Sequence, residues 1–369
     1  MTSQTLRSGA FVLAVSVLGV LAWPMQGHAQ VGFQVSPYQK GHYYPGVMNV
    51  RDLAAPAPGY YLAVYNFFGS SGDYIDRNGN KVTQLPLGDP PVDVDIGVQG
   101  YAFAPMFAWV FDLGAGFRYA AAISPSLIYS NAAANFDQAD QAVRNDGSIF
   151  GFGDIMVAPA YFFYADERFN LTAGYGFFAP SGKFSTGGDD NIGLGHWTHM
   201  LQLAGYLYFF QQATALMVAT TFEFTTGVYD VDLVKGNRFT VEYGLSQYLL
   251  PWLELSVFGG HNFQISEDSG SAATYDTSVM DRKSVVGGAA GLWVTEFMQV
   301  NFRGAVEYDV RQGFQSTNFG LNLAFILGLT PQQEGPFPWF ERVEQEKAKA
   351  QQTKTPEPPK QESPTDDVS

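Results

Sequence analysis

From Tyr60 onward the chain repeats one unit, in which about ten residues alternate apolar with polar or small side chains before a turn. Between Phe239 and Leu249, Phe239, Val241, Tyr243 and Leu245 share one parity, and Arg238, Thr240, Glu242, Gly244 and Ser246 share the other. Successive side chains of a strand face opposite sides, so each set meets a different medium. The same split recurs at Leu253 to Phe263, Val300 to Tyr308, Thr214 to Thr225 and Asn318 to Leu327. Strands are predicted at 60–70, 91–104, 111–124, 152–164, 168–179, 197–210, 213–226, 237–249, 253–265, 284–294, 299–309 and 316–327, about twelve in all. Long connections (71–90, 125–151, 180–196, 227–236 and 266–283, with 310–315 shorter) alternate with short ones at Ala165-Asp166-Glu167, Gln211-Gln212, Leu250-Pro251-Trp252 and Thr295-Glu296-Phe297.

A soluble β-sandwich also alternates, but its polar face is turned to water and is richly charged. Here the polar face is mostly Gly, Ala, Ser, Thr and Asn, which suits an enclosed lumen. Short turns on one side, long loops on the other and an even strand number describe an all-β, transmembrane antiparallel up-and-down β-barrel. The apolar set then faces lipid.

Composition adds the compartment. Of 369 residues only 15% are charged, while another 15% are aromatic and 40 are glycine. The chain after its first thirty residues has no apolar run long enough for a transmembrane helix, and in lipid only helices and closed barrels satisfy every backbone hydrogen bond. Arg7, the uncharged run Ala10 to Ala22 and Gly27-His28-Ala29 read as a signal peptide over 1–29, cleaved before Gln30. Cysteine is absent, so stability in an oxidising compartment must come from the ladder itself. A formal net charge of −15 excludes nucleic acid as a partner. The expected location is the outer membrane of a Gram-negative-type bacterium, with both termini in the periplasm.

Outside the barrel (59–328) the pattern breaks down. Residues 30–58 are punctuated by Pro45-Gly46 and Ala54-Ala55-Pro56-Ala57-Pro58-Gly59, so they form either a periplasmic tether or a plug folded into the lumen. Tyr43, Tyr44 and Met48 are apolar enough to be the plug's contacts. The tail, 329–369, is rich in Pro, Gln, Glu and Lys and is predicted to be disordered in the periplasm. Outer-membrane lipid, lipopolysaccharide and the barrel-assembly machinery are the expected partners, although the aromatic end signal that the machinery reads falls near Phe325 to Leu327, well before the terminus.

By parity the lumen receives the aromatics Phe162, Phe178, Tyr206, Tyr208, Phe258 and Trp293, and the charges Asp95, Arg118, Asp154, Glu223, Arg238, Glu242, Glu254, Arg303 and Glu307. Two readings of the charges stay open: an internal ion-pair ladder that holds the barrel's shape, or a selectivity lining. Apolar rings with a few polar groups suit a hydrophobic or aromatic ligand, where an open porin would be wetter. No catalytic set is expected. The chain has no Gly-x-Ser-x-Gly elbow and no His-Glu-x-x-His, and His42, His196, His199 and His261 read as loop and rim histidines. No metal or cofactor is expected either; the acidic loops at 71–90 and 180–196 lack calcium-loop spacing.

Gly41-His42-Tyr43-Tyr44-Pro45-Gly46, Gly151-Phe152-Gly153-Asp154-Ile155 with Pro159, and Ala173 to Phe184 followed by Asn191, Gly193 and Trp197-Thr198 together resemble the phenol meta-pathway degradation family of outer-membrane proteins. The resemblance spans roughly Gly41 to Leu327. It implies a channel for passive uptake of small hydrophobic or aromatic compounds, and carries over no catalytic or binding residue. The alternative is an outer-membrane barrel with a structural or interaction role and no transport.

Overall fold

The computed structural model describes residues 41–85, 91–138, 141–185, 191–273 and 276–329. The expected signal peptide, residues 30–40 and the tail from 330 lie outside the described residues. Fifteen strands form one antiparallel sheet: β1 (Gly59–Ile75), β2 (Gln84–Leu85), β3 (Val92–Gly114), β4 (Phe117–Ser124), β5 (Leu127–Gln138), β6 (Gln141–Phe152), β7 (Ile155–Ala165), β8 (Phe169–Ala179), β9 (Thr198–Phe209), β10 (Thr214–Thr225), β11 (Arg238–Leu250), β12 (Leu253–Gln264), β13 (Arg282–Thr295), β14 (Met298–Arg311) and β15 (Gly313–Leu329). β1 pairs with both β3 and β15, which closes the wall. β2 only flanks β3, and β4–β5 and β6–β7 are each one strand interrupted by two residues, so the wall has twelve strands.

Two expected boundaries change. The segment 91–104 runs on unbroken to Gly114 as β3, and the segment expected at 111–124 instead holds the end of β3, the turn Gly114-Ala115-Gly116 and β4. Pro105 reads as a breaker because it has no N–H to give a ladder. It lies between the pairs Phe103↔Leu127 and Phe107↔Ile123, at the point where β3 has no partner on that side. Opposite it stands the interruption Pro125-Ser126, so the missing donor leaves nothing unpaired. The expected loop 125–151 is in fact β5 and β6, which pair with each other from Leu127↔Phe152 to Gln138↔Gln141.

The second interruption, Gly153-Asp154, weakens the wall differently. β7 continues the sheet to β8, while among the described residues β6 pairs only with β5. Above Asp154 the wall therefore has a break between β6 and β8. Residues 180–185 and 191–197 fill it: a Cβ on Gly182 would lie 2.8 Å from the Cα of Gly193 and 2.9 Å from the carbonyl carbon of Gly153. Only glycine permits backbones this close.

The chain alternates between the two media as the parity predicts. Leu203, Leu207, Val218, Val257, Phe302 and Phe319 are exposed on the outer face, while Ala204, Tyr206, Ala219, Phe258 and Ala305 are buried inside. Stacked or tilted rings mark both borders of the apolar band. Tyr60–Trp109 and Phe117–Tyr164 lie near the short turns, and Phe177–Trp197 and His199–Phe224 near the long loops. Such girdles sit at the two membrane interfaces. Leu203→Lys, in mid-strand on the lipid face, is expected to lose about 2–4 kcal/mol of folding free energy in vesicles by denaturant titration. An unchanged midpoint would mean that this face does not meet hydrocarbon.

Candidate functional site

Residues 41–58 run through the lumen from one end to the other. Pro58 precedes β1 at the short-turn end, where Arg118 donates to the carbonyls of Ala55 (3.0 Å) and Pro56 (2.7 Å). Farther along, the Ala55 amide donates to Asn170 and the Thr172 hydroxyl donates to Leu53 O. Arg51 reaches Ser246 (2.8 Å), the turn carbonyls of Gln212 and Ala213, and Glu254 (3.3 Å), with its guanidinium over the rings of Tyr208 and Tyr248. Near mid-lumen, Glu242 accepts from the Gly46 amide (2.5 Å) and from the Tyr43 hydroxyl. At the long-loop end, one oxygen of Glu223 accepts both the His42 and Tyr43 amides at 2.9 Å.

The His42 ring completes the fastening. Its Nε2 lies 2.9 Å from Asp154 and its Nδ1 2.8 Å from the Thr198 hydroxyl, and it stacks on Phe178 at 4.3 Å. Asp154 also accepts the Gly182 and Leu194 amides, at 2.9 and 2.8 Å. One carboxylate at the interruption of β6–β7 thus holds the plug and the loop that fills the wall break. Shape reinforces these bonds. Gly46 takes a φ of +75°, and a Cβ there would meet Phe258 at 2.9 Å; a Cβ on Gly244 would meet Val50 at 2.7 Å.

The expected lumen residues can now be placed. Phe178, Tyr206, Tyr208, Phe258 and Trp293 point inward. Phe162 does not: it is 52% exposed, between inward Tyr161 and Phe163, and belongs to the lipid face. β7 carries a register shift between Val157 and Ala160, which puts its outer half one residue out of step with simple alternation. Asp95 is also outward, exposed on β3 opposite buried Val94 and Ile96, which pack with Tyr74 and Leu85 in a small outer-end cluster. Arg118, Asp154, Glu223, Arg238, Glu242, Glu254, Arg303 and Glu307 face in. Ion pairs among the wall residues are Arg238–Asp281 (2.7 Å) and Lys283–Glu307 (3.2 Å). Most of the other inward charges meet the plug rather than each other, so a simple ion-pair ladder does not describe them. Arg303 lies over the Phe258 ring at 5.0 Å, beside Gly46. Of the plug residues, Tyr44 packs on Phe67 and beneath the Lys283 ammonium (4.6 Å), and Met48 lies 3.7 Å from the Tyr43 hydroxyl.

Sequence reasoning missed His42, which is a lumen residue rather than a loop or rim histidine, and Arg51. Arg51 had a signal: it is the lone Lys or Arg of an otherwise neutral or acidic stretch from Gly41 to Pro58. Thr198, His42 and Asp154 stand in the order hydroxyl, imidazole, carboxylate, but Thr198 is 0% exposed, so a substrate has no approach to it. Likewise Ser284 touches His261 Nδ1 on the outer face, yet it is buried to 3%. Among the described residues no three His, Cys, Asp or Glu side chains converge on a metal position.

A closed barrel of twelve strands, apolar outside between two girdles and threaded by its own N-terminal segment, is a plugged outer-membrane β-barrel. Residues 72–323 match the family described as "Putative MetA-pathway of phenol degradation", and the chain belongs to that family. An outer membrane channel from Pseudomonas putida F1 has a similar structure: 17% identity, TM-score 0.58, covering 77% of this chain and 99% of that one. More distant are a Pseudomonas aeruginosa FadL homologue (10% identity, TM-score 0.38, covering 84% and 98%) and the TodX deltaS2S3 mutant monoaromatic hydrocarbon channel (9%, TM-score 0.42, covering 73% and 90%). No curated protein sequence matches the chain.

Two measurements test this site. A hydrogen bond to a charged group contributes about 1.5–3 kcal/mol, so Glu223→Ala is expected to speed amide exchange at His42 and Tyr43 roughly ten- to a hundredfold. The Ala55 amide, bonded to Asn170, should not change; equal acceleration at both ends would mean general loosening instead. His196, in the loop before β9, is wholly buried, and burial, with Lys235 and His42 nearby, pushes it down to about 3. Its ordinary value is about 6.5. As pH falls below that, the unfolded chain binds a proton that the folded one refuses, so this contribution to stability is lost between pH 6.5 and about 3. Histidine NMR should show His196 neutral at pH 5; a midpoint near 6 would contradict its burial.

Proposed function

We propose that this barrel is a passive uptake channel for small hydrophobic or aromatic compounds. The observation that carries the reading is the plug. It fills the lumen along its length and packs against inward rings, so bulk hydrophilic permeation through an open bore is disfavoured. A small apolar solute needs no continuous water path. With the Tyr206–Tyr208 pair (stacked at 6.1 Å) deeper, toward the short turns, it would enter from the long-loop side and first meet the Phe178 ring. It would leave where the wall is least continuous, at the break between β6 and β8. There Phe150 and Phe152, 69% and 67% exposed, flank the gap on the lipid side. Membership of a phenol-degradation family supports the same solute class. The assignment of Phe178, Tyr206, Tyr208, Phe258 and Trp293 as solute contacts belongs to this proposal. So does the division into a signal peptide (1–29), a plug (30–58), a barrel (59–328) and a periplasmic tail (329–369).

The test is entry of labelled phenol or toluate into proteoliposomes, with protein-free vesicles as the baseline and a sugar phosphate as the polar control. Aromatic entry should exceed the baseline and fall when Phe178 is replaced by Asp. Deleting residues 31–50 should raise conductance in a planar bilayer. Entry at the baseline for every solute would leave a structural or interaction barrel as the better account.

A further inference from the structure

The outer face carries a polar cluster that the lumen does not use. Near the long-loop ends of β13 and β14, Arg282 and Arg311 are register partners on the lipid side. Between them stands one carboxylate, Asp309, 2.9 Å from Arg282 and 3.8 Å from Arg311 Nε. Arg311 also donates to the Arg77 carbonyl (3.1 Å), and Arg77 pairs with Asp276 (3.3 Å), so three cations stand beside two carboxylates. The Nε atoms of both arginines are enclosed yet have no hydrogen-bond partner, while the side chains as a whole remain 42% and 31% exposed. The backbone arranges this deliberately close grouping. Asp309 takes a left-handed φ of 46°, and through that irregularity Tyr308 and Asp309 both face out while Glu307 and Val310 are buried.

Below the arginines the surface changes character in two steps. First comes a band of amphipathic groups: Tyr308, and His261 hydrogen-bonded to Tyr243 (3.2 Å) and Ser284 (2.8 Å). Then Val286, Val306 and Phe319 form an exposed apolar floor toward mid-membrane. Excess positive charge above, hydroxyl and imidazole groups at the border, and an apolar slope beneath match the anatomy of an anionic lipid: phosphate, sugar or glycerol, acyl chain. Arginine forks are suited to phosphate oxygens, and basic clusters beside a membrane surface recruit anionic headgroups. The long-loop end faces the outer leaflet, whose anionic lipid is a phosphorylated saccharolipid.

We propose that Arg282 and Arg311, with Tyr308 and His261 beside them, form a binding site for a lipid A phosphate, the acyl chains lying along Val286, Val306 and Phe319. The site is independent of what passes through the lumen. It assigns the outer surface of β12–β14 a defined lipid neighbour rather than a general apolar contact.

The test is binding of fluorescent bisphosphorylated lipid A to the full-length barrel in detergent micelles. Comparison is with R282Q/R311Q, whose fold is checked by heat-modifiable gel migration; both side chains are partly exposed at the end of the wall, so the fold should persist. The wild type should bind saturably. The double variant should bind roughly tenfold more weakly or worse, as for lost charge-assisted bonds. Dephosphorylated lipid A should lose a similar factor on the wild type. Neither millimolar inorganic phosphate nor phosphatidylglycerol should displace the probe at matched concentration. Equal affinity of the double variant, or of dephosphorylated lipid, would overturn the site. Displacement by phosphatidylglycerol would reduce it to a general attraction for anionic lipid, and displacement by phosphate to a free-anion site; either result overturns lipid A as the occupant.

Discussion

Carboxylates turned into an enclosed lumen are costly unless something donates to them, and the architecture of this barrel follows from how that demand is met. Asp154, Glu223, Glu242 and Glu254 are each 7% exposed or less. Their donors come mainly from one short segment: the His42 ring, the amides of His42, Tyr43 and Gly46, the Tyr43 hydroxyl and the Arg51 guanidinium. Wall and plug are thus incomplete without each other. The wall holds acceptors, Glu223 and Glu242 above all, whose donors come from the plug. The plug holds backbone amides that have no ladder to join. Each is the other's solvent.

Asp154 shows how local sequence concentrates this role. Gly153 and Asp154 interrupt one transmembrane strand, and the interruption frees the carboxylate from the regular in–out alternation. It can then bond the plug on one side and the amides of Gly182 and Leu194 on the other. The close backbone approach at Gly153, Gly182 and Gly193 brings those amides within reach. The weakest place in the wall is therefore also the place where plug and loop are tied together.

Much of this was legible in the chain. Period-two alternation and the spacing of Pro, Gly and Asp turns were enough for an even-numbered barrel with long loops on one side. The errors cluster where alternation is locally suspended: at Pro105, which sits where β3 lacks a partner; in the β5–β6 hairpin, whose small and polar residues imitate a loop; and at Phe162, beyond a register shift. Asp95 failed for another reason. Parity says which residues share a face but not which face is inside once a strand rises above the membrane. The plug's partners were illegible for a simpler reason. His42 meets Asp154 across more than a hundred residues, and no periodicity reports a contact between a strand and an irregular segment.

The mutual dependence of wall and plug also bears on the cell's permeability barrier. A steric stopper of inert residues could be dislodged at small cost, and each copy would then be a leak. Here withdrawal of the segment would take from Glu223 and Glu242 the donors it gives them and expose the amides that served them, so withdrawal is costly. A bacterium could display this barrel in abundance without opening its envelope to polar solutes.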